Sequence, residues 1–311
     1  MIVALAGGVG AARFLQGLVR IHRENDITVI VNTGDDLIHY GLYISPDTDI
    51  IMYTLAGIIN EEKGWGIKGD SFNCLEMLRK YGFEVWFNTG DMDLSTHILR
   101  TKLMNNGVTL SDCTNKLSKL LGVKTKIIPM SNERVETRII TEKGNMSFQE
   151  YLVKRSAKDI VTNITFKGIN KANPAPEIIE SIMNADLIIV CPSNPFVSIK
   201  PILSIKGIEE ALIKAKSPKI SITPIIGNKP VKGPLDKIMR GLDLEISAFT
   251  VANFYQRFID AFILDESDHN LKDRIISLGV KVYLMDTLMR GNEEKTQIAN
   301  NVLRIAKKLK N

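Results

Sequence analysis

An α/β fold built on a parallel sheet is the class this sequence predicts, and three observations predict it. Strand-like apolar runs alternate with helix-like segments along the whole chain, the pattern of a parallel sheet covered by helices. The first apolar run, Ile2-Val3-Ala4-Leu5-Ala6, passes straight into Gly7-Gly8-Val9-Gly10 and then a helical stretch from Ala11 to about His22. The second, Ile27 to Val31, ends in Asn32-Thr33-Gly34-Asp35-Asp36. Glycines at such a turn let the backbone approach a ligand closely, and the helix start behind them offers unpaired N–H donors to a phosphate. Acidic residues at the tip of the next strand add a place for a ribose hydroxyl or a metal ion. Binding of something phosphorylated is therefore expected.

Two familiar phosphate motifs are near misses. The dinucleotide fingerprint needs a third glycine three positions after Gly10, where Arg13 stands, and the Gly-Lys-Ser/Thr ending of a P-loop does not occur. Arg13, one turn into the helix, suits a phosphate or carboxylate because its planar fork can bond two oxygens at once; otherwise it is a solvated helix residue.

Further strands are expected at Glu84–Phe87, Lys126–Pro129, Leu187–Cys191, Lys219–Thr223, Ala261–Leu264 and Val280–Met285. Helices are expected over Asp70–Tyr81, Asp93–Asn106, Ser111–Leu121, Glu177–Asn184, Lys206–Ala215, Gly233–Arg240 and Asn292–Leu309. The stretch Val135–Phe148 alternates and turns at Glu142-Lys143-Gly144-Asn145, as a hairpin would. The expected architecture is one α/β domain over residues 1–311: a Rossmann-like parallel sheet flanked by helices, with a smaller inserted hairpin and helical subdomain over about 130–173. Asn32-Thr33-Gly34-Asp35 recurs as Asn88-Thr89-Gly90-Asp91, each copy after an apolar run. Loops at the carboxyl ends of parallel strands converge on the ligand crevice, so both copies are expected on one rim.

At 311 residues the chain can bury an ample core, and no apolar run approaches the ~18–20 residues needed to span a bilayer. The apolar N-terminal stretch has no charged segment before it and does not read as a signal peptide. Cys74, Cys113 and Cys191 are too widely spaced to form a metal pair, which fits the cytoplasm, and four scattered histidines argue against a zinc site. The net charge of +5 is spread along the chain, and with 6% aromatics no nucleic-acid surface is indicated. Anionic small-molecule substrates explain the mild basicity better.

Four constellations could carry chemistry. Asp35, Asp36, Asp47 and Asp49 form the densest acidic patch; such carboxylates cap helices or hold a hard cation such as Mg²⁺. One of Asp47 and Asp49 reads as the cap of a helix beginning near Ile50, the other as a ligand. In Gly90-Asp91-Met92-Asp93-Leu94-Ser95-Thr96-His97, Asp93 reads as an N-cap, and His97 and Arg100 share a helical face. That segment is either part of a site or a capped surface helix. Cys191-Pro192-Ser193-Asn194-Pro195-Phe196-Val197-Ser198 is a rigid strand-end loop with small polar donors, and Ile226 to Pro234 is a second such loop carrying Lys229 and Lys232.

Taken together, these segments resemble one family, the 2-phospho-L-lactate transferases, the CofD/FbiA family of coenzyme F-420 biosynthesis. The matching residues are Ala6 to Phe14, Asn32 to Asp36, Pro46 to Asp49, Gly64-Trp65-Gly66, Gly90 to His97, Pro192 to Pro195 and Lys232-Gly233-Pro234. In order and spacing they cover nearly the whole chain. The resemblance implies a Mg²⁺-dependent enzyme that transfers a phospholactyl-type group from a guanosine-diphosphate-linked donor to the deazaflavin alcohol FO, releasing GMP. It implies Asp35 and Asp49, supported by Asp36, as contacts for metal or acceptor hydroxyl, with Asp49 also the FO-contacting aspartate. Asn88 falls where the family contacts FO, and Asp91, His97 and Arg100 fall in the acceptor segment. Gly8, Gly10, Arg13, Ser193, Asn194 and Ser198 would line the phosphates, with Lys232 and Gly233 near the nucleotide. A homodimer is the default for such an enzyme.

Two rival readings make different predictions. A related family of regulatory proteins resembles this core and binds a uridine nucleotide sugar without transfer; the Trp65, Asp91 and His97 segments favour the transferase. A nicotinamide-dependent oxidoreductase would need the missing third glycine.

Overall fold

The computed structural model describes residues 1–310, and its centre is a seven-stranded sheet in which every neighbouring pair is parallel. Strands β1 (Ile2–Ala6) and β2 (Ile27–Val31) are the two N-terminal apolar runs. A small hairpin follows, β3 (Leu37–His39) and β4 (Leu42–Ile44), and β5 (Lys126–Pro129) rejoins the sheet. A separate antiparallel sheet contains β6 (Glu136–Thr141), β7 (Gly144–Ser147) and β8 (Val161–Lys167). The central sheet resumes with β9 (Leu187–Val190) and β10 (Lys219–Ile222). After a minimal hairpin of β11 (Ile225–Ile226) and β12 (Lys229–Pro230), β13 (Ala261–Asp265) and β14 (Lys281–Met285) complete it.

The helices are α1 (Gly8–Leu18), α2 (Pro46–Leu55), α3 (Asn73–Lys80), α4 (Asp91–Asn105), α5 (Leu110–Leu120) and α6 (Ile178–Met183). They continue with α7 (Lys200–Leu203), α8 (Ile208–Lys214), α9 (Leu235–Gly241), α10 (Ala248–Tyr255), α11 (Lys272–Ile276) and α12 (Asn292–Lys310).

The spatial strand order is β14-β13-β10-β9-β1-β2-β5. From β1 the chain builds outward to one side, and from β9 to the other, so the order reverses between these two neighbours, which pair from Ile2↔Leu187 to Leu5↔Val190. Side chains alternate faces along a strand. Val3, Leu5, Ile188 and Val190 accordingly join one core cluster, while Ala4, Ala6, Leu187 and Ile189 join the other. The first cluster is covered by the β6–β8 sheet and helices such as α10, the second by α1, α2 and α12. Both faces being buried explains why these strands read as unbroken apolar runs. No helix among the described residues is long and apolar enough to cross a membrane.

The expected α/β sheet is therefore present, with some local departures. Glu84–Phe87 forms no strand. Its apolar residues instead join a partly exposed aromatic cluster in which Trp86 packs edge-on to His39 at 5.1 Å and to Phe87 at 5.8 Å. The second Asn-Thr-Gly-Asp copy consequently follows irregular chain rather than a sheet strand. Asp93 is not the N-cap of α4: the Asp70 carboxylate accepts from the backbone N–H of Met92 (2.8 Å) and Asp93 (3.0 Å), and Asp93 lies inside the first turn. The Val135–Phe148 hairpin is present and gains a third strand in β8, whose polar exposed face hid its periodicity.

Candidate active site

In an open parallel sheet the crevice forms at the carboxyl ends of the strands where the strand order reverses. A cavity of about 520 Å³ lies at that place. Its floor comes from the turn after β1 (Gly7 to Gly10) and the loop after β9 (Pro192 to Ser198). Asp35 enters from the end of β2, Asp47 and Asp49 from the first turn of α2, and Thr223 and Pro224 from the end of β10. Phe148, Gln149, Leu152 and Val153, from the segment after β7, wall one side. The insertion thus closes the site.

Two glycines of the first turn have separate structural reasons. Gly8 takes a left-handed φ of 72°, which a side chain disfavours. A Cβ on Gly10 would lie 2.1 Å from the carbonyl oxygen of Pro192, so only glycine lets α1 start against the β9 loop. In that loop Asn194 is a helix cap: its side-chain oxygen accepts from the N–H of Phe196 (3.0 Å) and Val197 (3.4 Å). Ser193 Oγ accepts from the N–H of Gly7 (3.3 Å), tying the β1 turn to the β9 loop.

The acidic wall divides into two groups. Asp35 and Asp47 are both buried, and Asp35 Oδ1 has no hydrogen-bond partner among the described residues. Burial, and then the neighbouring Asp47 charge, push the Asp35 carboxyl well above the usual carboxylate range. Burial also raises Asp47 to about 6, against the relief of hydrogen bonds from Asn32 and the Gly8 N–H. Asn32 Nδ2 donates to Asp47 Oδ2 at 2.9 Å. Two crowded carboxyls with an unused oxygen, and with no cation bonded to them among the described residues, fit a divalent cation.

The second group surrounds His97. Its Nδ1 is 3.6 Å from Asp49 and its Nε2 is 3.4 Å from Asp93, which also accepts from Tyr53 Oη at 2.7 Å. Burial pushes Asp93 up, but the neighbouring His97 ring and the Tyr53 hydroxyl outweigh it and hold the carboxyl below its ordinary value. Arg100 is fully buried behind Asp49 and donates from Nη1 and Nη2 to its two oxygens. Ligand atoms of Asp49, Asp93 and His97 lie within 4.8 Å of one another. The Arg100 guanidinium forked on Asp49 already neutralises this group, which therefore calls for a cation less than the Asp35–Asp47 pair does.

Of the residues singled out from sequence, Gly8, Gly10, Arg13, Asp35, Asp49, Asn88, His97, Ser193, Asn194, Ser198, Lys232 and Gly233 all line this one cavity. Asp36, Asp91 and Arg100 do not. Asp36 is buried beneath it, accepting from Tyr43 Oη (2.9 Å) and Ser45 Oγ (2.8 Å). Asp91 caps α3, accepting from the N–H of Asn73 and Cys74, both at 3.0 Å. Lys63, Tyr53 and the Phe148–Val153 wall also line the cavity without having been singled out. Lys63 directly precedes the Gly64-Trp65-Gly66 motif and Tyr53 stands four residues after Asp49, so both had a local signal; the wall had none.

A crevice at the reversal point of a parallel sheet is the ligand site of the doubly wound α/β class, and the chain is a protein of that class. A family model described as 2-phospho-L-lactate transferase CofD matches residues 2–303, and the chain belongs to that enzyme family. The 2-phospho-L-lactate transferase of Methanosarcina mazei is 37% identical over 302 residues, covering 97% of this chain and 99% of that protein. The phosphoenolpyruvate transferase of Streptomyces griseus is 39% identical over 315 residues, covering 99% of each. Among solved structures, a UPF0052-family protein of Bacillus halodurans shares the fold with a TM-score of 0.62 at 17% identity, covering 97% of this chain and 98% of its own.

Proposed function

We propose that this transferase moves a phospholactyl-type group, 2-phospholactate or enolpyruvyl phosphate, from a guanosine-diphosphate-linked donor to the deazaflavin alcohol FO and releases GMP. The ribityl hydroxyl of FO attacks the donor phosphorus distal to guanosine. The bond from that phosphorus to the GMP oxygen breaks, and a phosphodiester of FO remains. Such chemistry is mostly placement and charge neutralisation.

The observation that carries the reading is the charge of the cavity lining: buried, crowded carboxylates share it with two cations, Arg13 and Lys232, that have no carboxylate partner among the described residues. Mg²⁺, when bound, would neutralise phosphate charge and polarise the phosphorus. Asp35 and Asp47 fit it best, because Asp35 keeps an unused oxygen. Asp49, already expected at the metal or the acceptor, fits the acceptor side, since Arg100 and His97 fix its orientation toward the cavity. Ser193, Ser198 and the first turn of α1 supply donors on the phosphate side, and Asn88 and His97 stand on the acceptor side. The reading includes a cytoplasmic homodimer, which sedimentation of the purified protein checks for assembly.

The deciding experiment incubates the protein with FO, Mg²⁺ and either guanylyl-activated acid, followed by chromatography. GMP release together with a new, more anionic deazaflavin is expected, and the relative rates rank the donors. Absence of both products with both donors would overturn the reading.

A further inference from the structure

Three cations line one part of the cavity, and among the described residues none is paired with a carboxylate. Arg13 makes a single long bond, from Nη1 to the Met289 carbonyl at 3.4 Å. Lys232 Nζ donates to the Lys63 carbonyl at 2.8 Å. Lys63 Nζ lies over two aromatic faces, 5.2 Å from the Trp65 ring centre and 4.6 Å from that of Phe72.

The chain goes to some length to bring these groups together. Residues 63 and 232 belong to loops 169 positions apart. The Lys63 loop turns on Asn60, whose side chain accepts from the Lys63 N–H (3.1 Å) and whose carbonyl accepts from the Gly64 N–H (2.8 Å). Gly64 has a φ of 77°, and a Cβ there would lie 2.7 Å from Lys232 Nζ and 2.8 Å from Val9 Cγ1. Glycine is thus what lets the Lys63 loop close on both Lys232 and the first turn of α1, which carries Arg13 one turn later. The crowding is felt electrostatically: withdrawal from water and then the Arg13 charge lower the Lys232 ammonium. Like charges drawn together without a counter-ion make a site for a multiply charged anion.

We propose that Lys63 completes, with Arg13 and Lys232, the subsite for the outer anionic group of the donor, and that Lys63 is the mobile member, shifting from its aromatic rings to the bound anion. The assignment to a donor rests on the transferase reading above; the anion subsite itself does not. Two groups share the required chemistry, the diphosphate and the carboxylate of the transferred acid, and binding measurements separate them.

The test titrates wild-type protein and Lys63→Gln calorimetrically with inorganic phosphate, pyrophosphate and phosphoenolpyruvate. Lys63 is exposed, so the substitution leaves the fold intact. A loss of about tenfold or more for pyrophosphate, the size of one charge-assisted bond, assigns the subsite to the diphosphate. The same loss for phosphoenolpyruvate but not for phosphate assigns it to the carboxylate. Lys63→Arg should recover most of the lost affinity in either case. Equal affinities of wild type and Lys63→Gln for all three anions, or no binding of any by the wild type, would overturn the subsite. Failure of the transferase reading shows separately, as absent GMP release from a protein that still binds these anions through Lys63.

Discussion

Arg100 holds Asp49 by both oxygens, with Nη1 3.1 Å from Oδ2, and does so from a position with no exposure to solvent. The pair links α4 to the first turn of α2 and presents Asp49 to the cavity without Arg100 reaching it. Removing one partner of a buried pair strands the other charge, at a cost of about 3–5 kcal/mol. Arg100→Met is therefore expected to lower the urea-unfolding free energy by that order. A loss under about 1 kcal/mol would mean that water reaches Asp49 and replaces the guanidinium.

Asp49→Asn removes the charge while keeping the shape. Turnover should fall by about a hundredfold or more, the scale on which misplacing a reacting group by about 1 Å acts. Far-ultraviolet circular dichroism should stay native, and wild-type turnover would remove Asp49 from the chemistry.

The Asp35–Asp47 pair sets a pH dependence. The Asp47 carboxyl titrates near 6 in the folded chain against an ordinary value of 3.8, so the folded state binds its proton more tightly. Its contribution to stability is fully present below the unfolded value and is lost as pH rises through about 6; Asp35 shifts in the same direction. Asp47→Asn should therefore gain stability relative to wild type between pH 4 and pH 7.5, by on the order of 3 kcal/mol. Urea midpoints at the two pH values check this. In the wild type, Mg²⁺ should raise the melting temperature more at pH 7.5 than at pH 4.5, and equal shifts would separate the cation from this pair.

Gly10→Ala tests the close approach of α1 to the β9 loop. Its Cβ meets the Pro192 carbonyl oxygen at 2.1 Å, and the backbone must shift. A loss of about 1–3 kcal/mol is expected from such overpacking, with weakened nucleotide binding. A stable variant with unchanged binding would show that the two loops separate freely.

Asp70 and Asp91 exchange caps, each accepting N–H bonds from the start of the other's neighbouring helix. Asp70→Ala and Asp91→Ala should each cost about 1 kcal/mol, read from thermal unfolding. Loss of turnover in Asp91→Ala beyond that seen in Asp70→Ala would give Asp91 a part in acceptor binding as well.

The sequence by itself determined the sheet and most of the cavity's residue list. Strands such as Lys126–Pro129 and Ala261–Asp265 are buried on both faces, so their signal is local and strong. The glycine turn after β1 and the acids after β2 point to one rim because parallel strands end together. Tertiary structure decided the roles. Asp91, Asp93 and Asp70 look alike as acids near helix starts, and only packing shows that Asp70 and Asp91 cap while Asp93 faces His97. Arg100 is one of many charged helix residues until burial and the fork on Asp49 single it out. The walls from Phe148 to Val153, and the meeting of Lys63 with Lys232, depend on contacts between distant parts of the chain. Periodicity records which face of an element is buried, not what lies against it.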